Sequence, residues 1–315
     1  MSISIESLQL IKRYPGQKKE DRPAIDAIDL TVEVGQLYGL VGPDGAGKTT
    51  LLRILSTVMK PTSGSARLAG FDVMKQSEDV RALLGYMPQA FSLYPDLTVM
   101  ENLRFFADIN GVPAQKQKTR IDELLEFARL TEFTARRSEN LSGGMRKKLA
   151  LACALVHDPK ILLLDEPTTG VDPVSRRELW RLLSKVIQQG VTVLVSTPYM
   201  DEAERCNTVS IINQGRILIS GAPAELEAQL PFQVVEVKAK PRRTLRQVVG
   251  QSEGVLSWRA VGDRLRLSVK EAEKIQSRLA ADLKKAGAEV SILRQAKPMM
   301  EDVFIHLVEH RKGEA

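Results

Sequence analysis

Apolar positions change their spacing along the chain, and each change predicts a different element. Over the first ~85 residues they alternate with polar ones, as in Ile3-Ser4-Ile5-Glu6, or run together, as in Leu37 to Val41; both patterns predict strands. A helix is expected from Thr49 to Met59, stopped near Lys60-Pro61-Thr62-Ser63-Gly64. From about Tyr94 to His157 the spacing is mostly helical, predicting helices over Val99 to Ile109, Gln117 to Leu130 and Gly144 to Val156. The runs Ile161 to Leu164 and Val191 to Val195 are apolar throughout, as in parallel strands buried on both faces, with a helix from Arg176 to Gln188 between them. This alternation predicts an α/β core carrying a helical insertion.

A second pattern follows Gly221-Ala222-Pro223, a turn, and the polar helix Ala224 to Gln229. Leu230-Pro231 is the expected boundary, giving domains 1–230 and 231–315. The second reads as strand Phe232 to Lys238, helix Thr244 to Val249, strands Val255 to Val261 and Leu265 to Val269, helix Ala272 to Ala286 and strand Val290 to Leu293. That order, βαββαβ, is α+β and ferredoxin-like. No internal repeat or low-complexity segment stands out.

Composition narrows the classes. The 315 residues, 43% hydrophobic and 27% charged, suit two ordinary globular domains, and no apolar run approaches the roughly 18 residues needed to span a bilayer. The N-terminal residues lack the charged, apolar and small-residue regions of a signal peptide, so a cytoplasmic, unprocessed chain is expected. Cys153 and Cys206 have no metal-ligand spacing and read as packing residues in a reducing compartment. The net charge of +6 is spread over clusters such as Arg136-Arg137, Arg146-Lys147-Lys148 and Arg242-Arg243, which read mostly as solvated faces.

Two stretches carry chemistry by their own residues. Gly42-Pro43-Asp44-Gly45-Ala46-Gly47-Lys48-Thr49, followed by Thr50, lies after a strand-like run and opens a helix, the context a phosphate-binding loop requires. Its glycines let backbone N–H groups ring a phosphate, Lys48 reaches the β- and γ-phosphates, and Thr49 suits Mg²⁺. Ile161-Leu162-Leu163-Leu164-Asp165-Glu166 is an apolar strand delivering two carboxylates at its C-terminal end, where open α/β sheets place their ligands.

Between them lie Tyr86-Met87-Pro88-Gln89 and Leu141-Ser142-Gly143-Gly144-Met145. From about Ile3 to Leu230 this ordered set resembles the ATP-binding subunit of ABC transporters of the drug-exporter, or ABC-2, type. The resemblance implies a P-loop NTPase cassette with a helical subdomain at about residues 90–158, followed by the accessory domain. It implies ATP and Mg²⁺ as cofactors, with Thr49, Gln89 and Asp165 toward the metal and Glu166 as the general base. Ser142, Gly143 and Gly144 would face the γ-phosphate of an opposing subunit, and Gly170-Val171-Asp172 would run along the dimer interface. Tyr14 matches the aromatic that stacks on adenine; core packing, or a turn at Tyr14-Pro15-Gly16, is the alternative. The partners implied are a second ATP-binding cassette, identical or not, and integral membrane permease subunits touching Phe91 to Asn102, a segment that also suits plain core. No nucleic-acid partner is expected, and the implied location is peripheral, on the inner face of the cell membrane.

Two positions depart from the family pattern. Ser196-Thr197-Pro198-Tyr199-Met200-Asp201-Glu202-Ala203 has proline where the family usually has a switch histidine, and proline lacks both a side-chain donor and an N–H. Asp44 stands where asparagine is common. Together they resemble the first cassette of tandem-cassette export ATPases and imply slow hydrolysis, unless Thr197, Tyr199 or a partner residue supplies the contact. The rival readings are a soluble cassette protein acting on ribosomes or DNA and a regulatory ATP-binding module without turnover. The exporter-like C-terminal domain weighs against the first; Pro198 supports the second.

Overall fold

The computed structural model describes residues 2–18, 20–90 and 93–313, with side chains described as far as residue 309. It divides into two compact units, residues 1–223 and 224–315. The expected limit after Leu230 therefore falls too late. Helix Pro223–Ala228 goes almost wholly with the second unit, where Leu226 is buried and Glu227 pairs with Lys297 at 2.8 Å.

The first unit is built on a six-stranded sheet in the spatial order Arg216–Gly221, Thr208–Asn213, Leu37–Val41, Thr192–Thr197, Ile161–Asp165, Leu84–Met87. Only the first pair is antiparallel. Every residue of Leu37–Val41 and of Ile161–Asp165 is buried, which is why these strands read as unbroken apolar runs. The register pairs Val41 with Thr197, Asp165 with Ser196 and Met87 with Leu164. Four loops thus leave one edge of the sheet together: the one after Val41, and those holding Gln89, Glu166 and Pro198. A second, antiparallel sheet of Ile25–Glu33, Ile3–Lys12, Ser63–Leu68 and Phe71–Asp72 shares a core with helix Lys48–Leu55 through Ile5, Leu10, Ile28, Leu51 and Leu163.

That helix stops at Leu55 rather than Met59. Thr57 adopts φ 62°, a left-handed conformation that ends helical hydrogen bonding, and Ser63 and Gly64 are already in a strand. Of the insertion, Val99–Ile109 has the expected limits and carries a capping box between Thr98 and Glu101. The other two helices run Ala114–Ala128 and Gly143–Ala154, each shifted a little toward the N-terminus.

The second unit has the order Val255–Val261, Arg264–Val269, Gln233–Lys240, Glu289–Ala296, all antiparallel, which is the expected ferredoxin-like arrangement. Helices Arg242–Gln251 and Ala272–Lys285 cover one face through Leu245, Val249, Ile275 and Leu279 against Val235, Val237 and Leu267. On the strands, buried Arg266 bridges Glu236 at 2.9 Å and Asp302 of the closing helix Met300–Gly313 at 2.9 Å.

Gly64 is required where the first unit's antiparallel sheet closes: its φ is 81°, and a Cβ there would lie 2.3 Å from the Gln9 carbonyl oxygen. Gly64→Ala is expected to cost about 2 to 3 kcal/mol from left-handed strain and overpacking. A lowered urea midpoint at unchanged slope would report it, and an unchanged midpoint would contradict it.

Candidate active site

The loop after Val41 is shaped by backbone proximity. A Cβ at Gly42 would stand 2.1 Å from the Ile212 carbonyl oxygen; at Gly47, where φ is 110°, it would stand 2.6 Å from that of Ala24. Ala46 is buried, whereas Asp44 and Gly45 are exposed, so the acidic residue faces solvent. Helix Lys48–Leu55 begins without a side-chain cap and with no acidic residue in its first turn. Its leading N–H groups can therefore serve an anion. The Lys48 ammonium, 3% exposed as a residue, donates to the carbonyls of Gly42 at 2.8 Å and Pro43 at 3.0 Å and pairs with Glu166 Oε1 at 3.1 Å.

Asp165 is completely buried at the end of its strand. Its Oδ1 accepts from Thr49 Oγ1 at 3.1 Å and from Ser196 Oγ at 2.7 Å. Among the described residues its Oδ2, also buried, has no hydrogen-bond partner. Burial pushes the carboxyl above its usual range, while the bonds from Ser196 and Thr49 pull it back. A buried acceptor beside the Thr49 hydroxyl fits a hydrated cation. No cluster of three His, Cys, Asp or Glu suited to a metal occurs among the described residues.

Glu166 has φ 49°, unusual for a side chain of its size, and only 3% of it is exposed. Its N–H donates to the Ser196 carbonyl at 3.2 Å and approaches Ser196 Oγ at 3.1 Å. Its Oε2 accepts from Gln89 Nε2 at 2.9 Å and Thr169 Oγ1 at 3.2 Å, so both carboxylate oxygens are held. Lys48, Gln89 and Glu166 thus form one bonded set, which Ser196 links to Asp165 and Thr49.

Tyr14 is 38% exposed, outside the core, with its hydroxyl 3.1 Å from Thr50 Oγ1. Ser142, exposed, caps helix Gly143–Ala154 by accepting from Met145 N at 3.2 Å. Gly144 is buried against Ser175, whose Oγ would lie 2.3 Å from an added Cβ. Among the described residues no hydrogen bond or ion pair joins Ser142, Gly143 or Gly144 to the phosphate loop or the carboxylates. Phe91 and Ser92 lie outside the described residues. Of the rest of that segment Leu93, Val99 and Asn102 are buried, while Tyr94 is exposed with its ring 4.5 Å from Phe105.

At the switch position, Pro198 follows a threonine that is already engaged. Thr197 Oγ1 donates to buried Glu202 Oε2 at 2.6 Å and accepts from Tyr199 N at 3.1 Å. The Tyr199 ring packs against Arg176, 4.7 Å from its centroid, and Arg176 pairs with Glu202 at 2.5 Å and with Asp201 at 2.8 Å.

Several site neighbours went unread in the sequence. Ser196 and Thr169 carried only a weak signal, as polar residues following buried apolar strands. Lys147 and Lys148, in a basic run whose sequence predicts a solvated face, depart from that expectation. Both are buried: Lys148 pairs with Glu178 at 3.2 Å, and Lys147 Nζ lies 3.4 Å from the carbonyl oxygens of Gln89 and Glu166. Burial pulls the Lys147 ammonium below its ordinary range, opposed by the carboxylates of Asp165 and Glu166.

The chain resembles known proteins in sequence and in fold. A family model described as "ABC transporter" matches residues 25–169. The chain is 44% identical over 312 residues to the "Probable multidrug ABC transporter ATP-binding protein YbhF" of Escherichia coli K12, covering 97% of this chain and 52% of that protein, so it spans about half of that relative's length. It is 39% identical over 289 residues to "Nod factor export ATP-binding protein I" of Cupriavidus metallidurans, covering 91% of this chain and 93% of the relative. Among solved structures, the dimeric post-hydrolysis state of the cassette MJ0796 bound to ADP and Pi superposes with a TM-score of 0.63 at 26% identity, over 69% of this chain and 98% of that one.

Lys48→Ala is expected to weaken MgATP binding on the order of 10²-fold, because the loop loses the ammonium that would meet the phosphates. Isothermal titration checks this. Unchanged affinity in a folded variant would place nucleotide binding elsewhere.

Proposed function

Because this chain belongs to the ABC transporter ATP-binding family, we propose that it binds and hydrolyses ATP to power an exporter whose membrane-spanning subunits are separate. The observation that carries the reading is the shared hydrogen-bonded group of Lys48, Thr49, Gln89, Asp165 and Glu166 beside a helix start with free N–H groups. In this reading the loop N–H groups and Lys48 hold the phosphates, and Tyr14 stacks on the base. Thr49, Asp165 and Gln89 hold Mg²⁺, which neutralises charge on the phosphates when bound. As Lys48 turns to phosphate, Glu166 loses its ion pair and becomes free to accept a proton from the attacking water.

In this reading the far side of the γ-phosphate is met by a second cassette. Ser142 and the N–H groups of Gly143 and Gly144, on a capped helix start, suit that task from a second cassette. The dimeric state of the MJ0796 relative supports this assembly. Names of relatives that refer to multidrug and Nod factor export support an export role here. No helix among the described residues is long and apolar enough to cross a membrane. Tyr94, Phe105 and Phe106, a ring cluster with Tyr94 exposed, are the proposed contact for them, on the inner face of the membrane.

Hydrolysis is proposed to be slow. Pro198 offers no donor, Thr197 has committed its proton to Glu202, and Tyr199 is stacked on Arg176. Pro198→His restores a donor while leaving the carboxylates untouched, and steady-state phosphate release at saturating MgATP should rise by roughly 10- to 10³-fold. Rapid turnover by the native chain with no gain in the variant would overturn the slow-site reading.

A further inference from the structure

Lys147 sits on helix Gly143–Ala154, the helix that Ser142 caps, and only 5% of it is exposed. Its ammonium lies 3.4 Å from the carbonyl oxygen of Gln89 and 3.4 Å from that of Glu166. These oxygens belong to loops that leave adjacent strands, Leu84–Met87 and Ile161–Asp165. Both residues meet again through their side chains, Gln89 Nε2 donating to Glu166 Oε2 at 2.9 Å. A buried ammonium needs oxygen partners, and two carbonyl oxygens converging on one place supply them. The constraint matters most at Glu166, whose backbone stands at φ 49° and whose carbonyl also accepts from Thr169 N at 3.3 Å. Holding that carbonyl helps to fix the direction in which the carboxylate leaves the strand.

We infer that Lys147 is a positioning residue: its ammonium ties the backbones of Gln89 and Glu166 to the helix capped by Ser142. One short helix then carries two connections. Its N-terminus presents the serine assigned above to the nucleotide of a second cassette, and its next turn holds the base and the glutamine of its own site. Engagement of Ser142 by a second cassette's nucleotide is thereby felt at Glu166. This inference rests on the proposed ATP-hydrolysing dimer.

The test uses the full chain with Lys147→Met, which keeps the length of the side chain but not its charge, and Lys147→Arg, which keeps a cationic donor. Lys147→Met should lower kcat on the order of 10- to 10²-fold through misplacement of Glu166, with KM for ATP and MgATP affinity held within about threefold. Lys147→Arg should recover most of the lost rate. Ser142→Ala should also lower kcat, and the double variant with Lys147→Met should lose less than the product of the two single losses, because both act through one helix. An unchanged kcat in Lys147→Met, an equal loss in the folded Met and Arg variants, or fully multiplicative losses would each overturn the inference. If the unmodified chain hydrolyses no ATP, the functional reading fails and this inference falls with it. If it does hydrolyse ATP and Lys147→Met matches it, the inference alone fails.

Discussion

A buried carboxylate must find a cation or donors, and the first unit is arranged around meeting that demand for Asp165 and Glu166. The strand Ile161–Asp165 is covered on both faces, so it carries its two acids out of water. Lys48 answers Glu166 at 3.1 Å, Thr49 and Ser196 answer one oxygen of Asp165, and Gln89 and Thr169 answer the second oxygen of Glu166. These groups come from the start of helix Lys48–Leu55, the end of strand Thr192–Thr197 and the loops after Met87 and Asp165, which the parallel register brings to one edge of the sheet. Such a pair adds little net stability, since desolvation offsets its attraction, but breaking it would leave a charge stranded. Its value here is that both partners are held ready for a ligand carrying its own charge.

The parts of this arrangement that were legible in the sequence are those with a local signature. An unbroken apolar run ending in Asp165-Glu166 announces both a buried strand and the acids at its end, and the glycines around Lys48 announce a turn that only they permit. Strand and helix order in the second unit was legible for the same reason, because each element there has its own period. Limits were harder. The helix after Lys48 was extended to Met59 because apolar spacing continues past Leu55, while the left-handed turn at Thr57 leaves no mark in composition. The limit near Leu230 was drawn at a Leu-Pro pair, whereas burial of Leu226 and the pairing of Glu227 place helix Pro223–Ala228 with the second unit.

Contacts that depend on tertiary packing were not legible. Ser196 and Thr169 matter because of what lies beside them, not because of their neighbours in sequence. Lys147 lay in a basic triplet that reads as a wet surface, and only packing reveals its ammonium at two motif carbonyls. The same packing settles what surrounds Pro198: Glu202 draws Thr197, Arg176 and Trp180 into one buried cluster, so the switch segment is fixed to the following helix without a histidine. The fold thus brings the acids, the glutamine and Lys48 together, while Ser142 stands on a separate helix start.

In the proposed function Lys48 exchanges one anion for another. Glu166 is its counter-ion here, and in the proposed function it competes with phosphate for the same ammonium. MgADP affinity, measured calorimetrically so that hydrolysis plays no part, tests this most directly when the native chain is compared with Glu166→Gln, alone and together with Lys48→Ala. Removing the competing carboxylate should tighten MgADP binding by about 10-fold, and the gain should vanish when Lys48 is absent. Weaker or unchanged binding in Glu166→Gln, or a gain that persists without Lys48, would contradict the exchange.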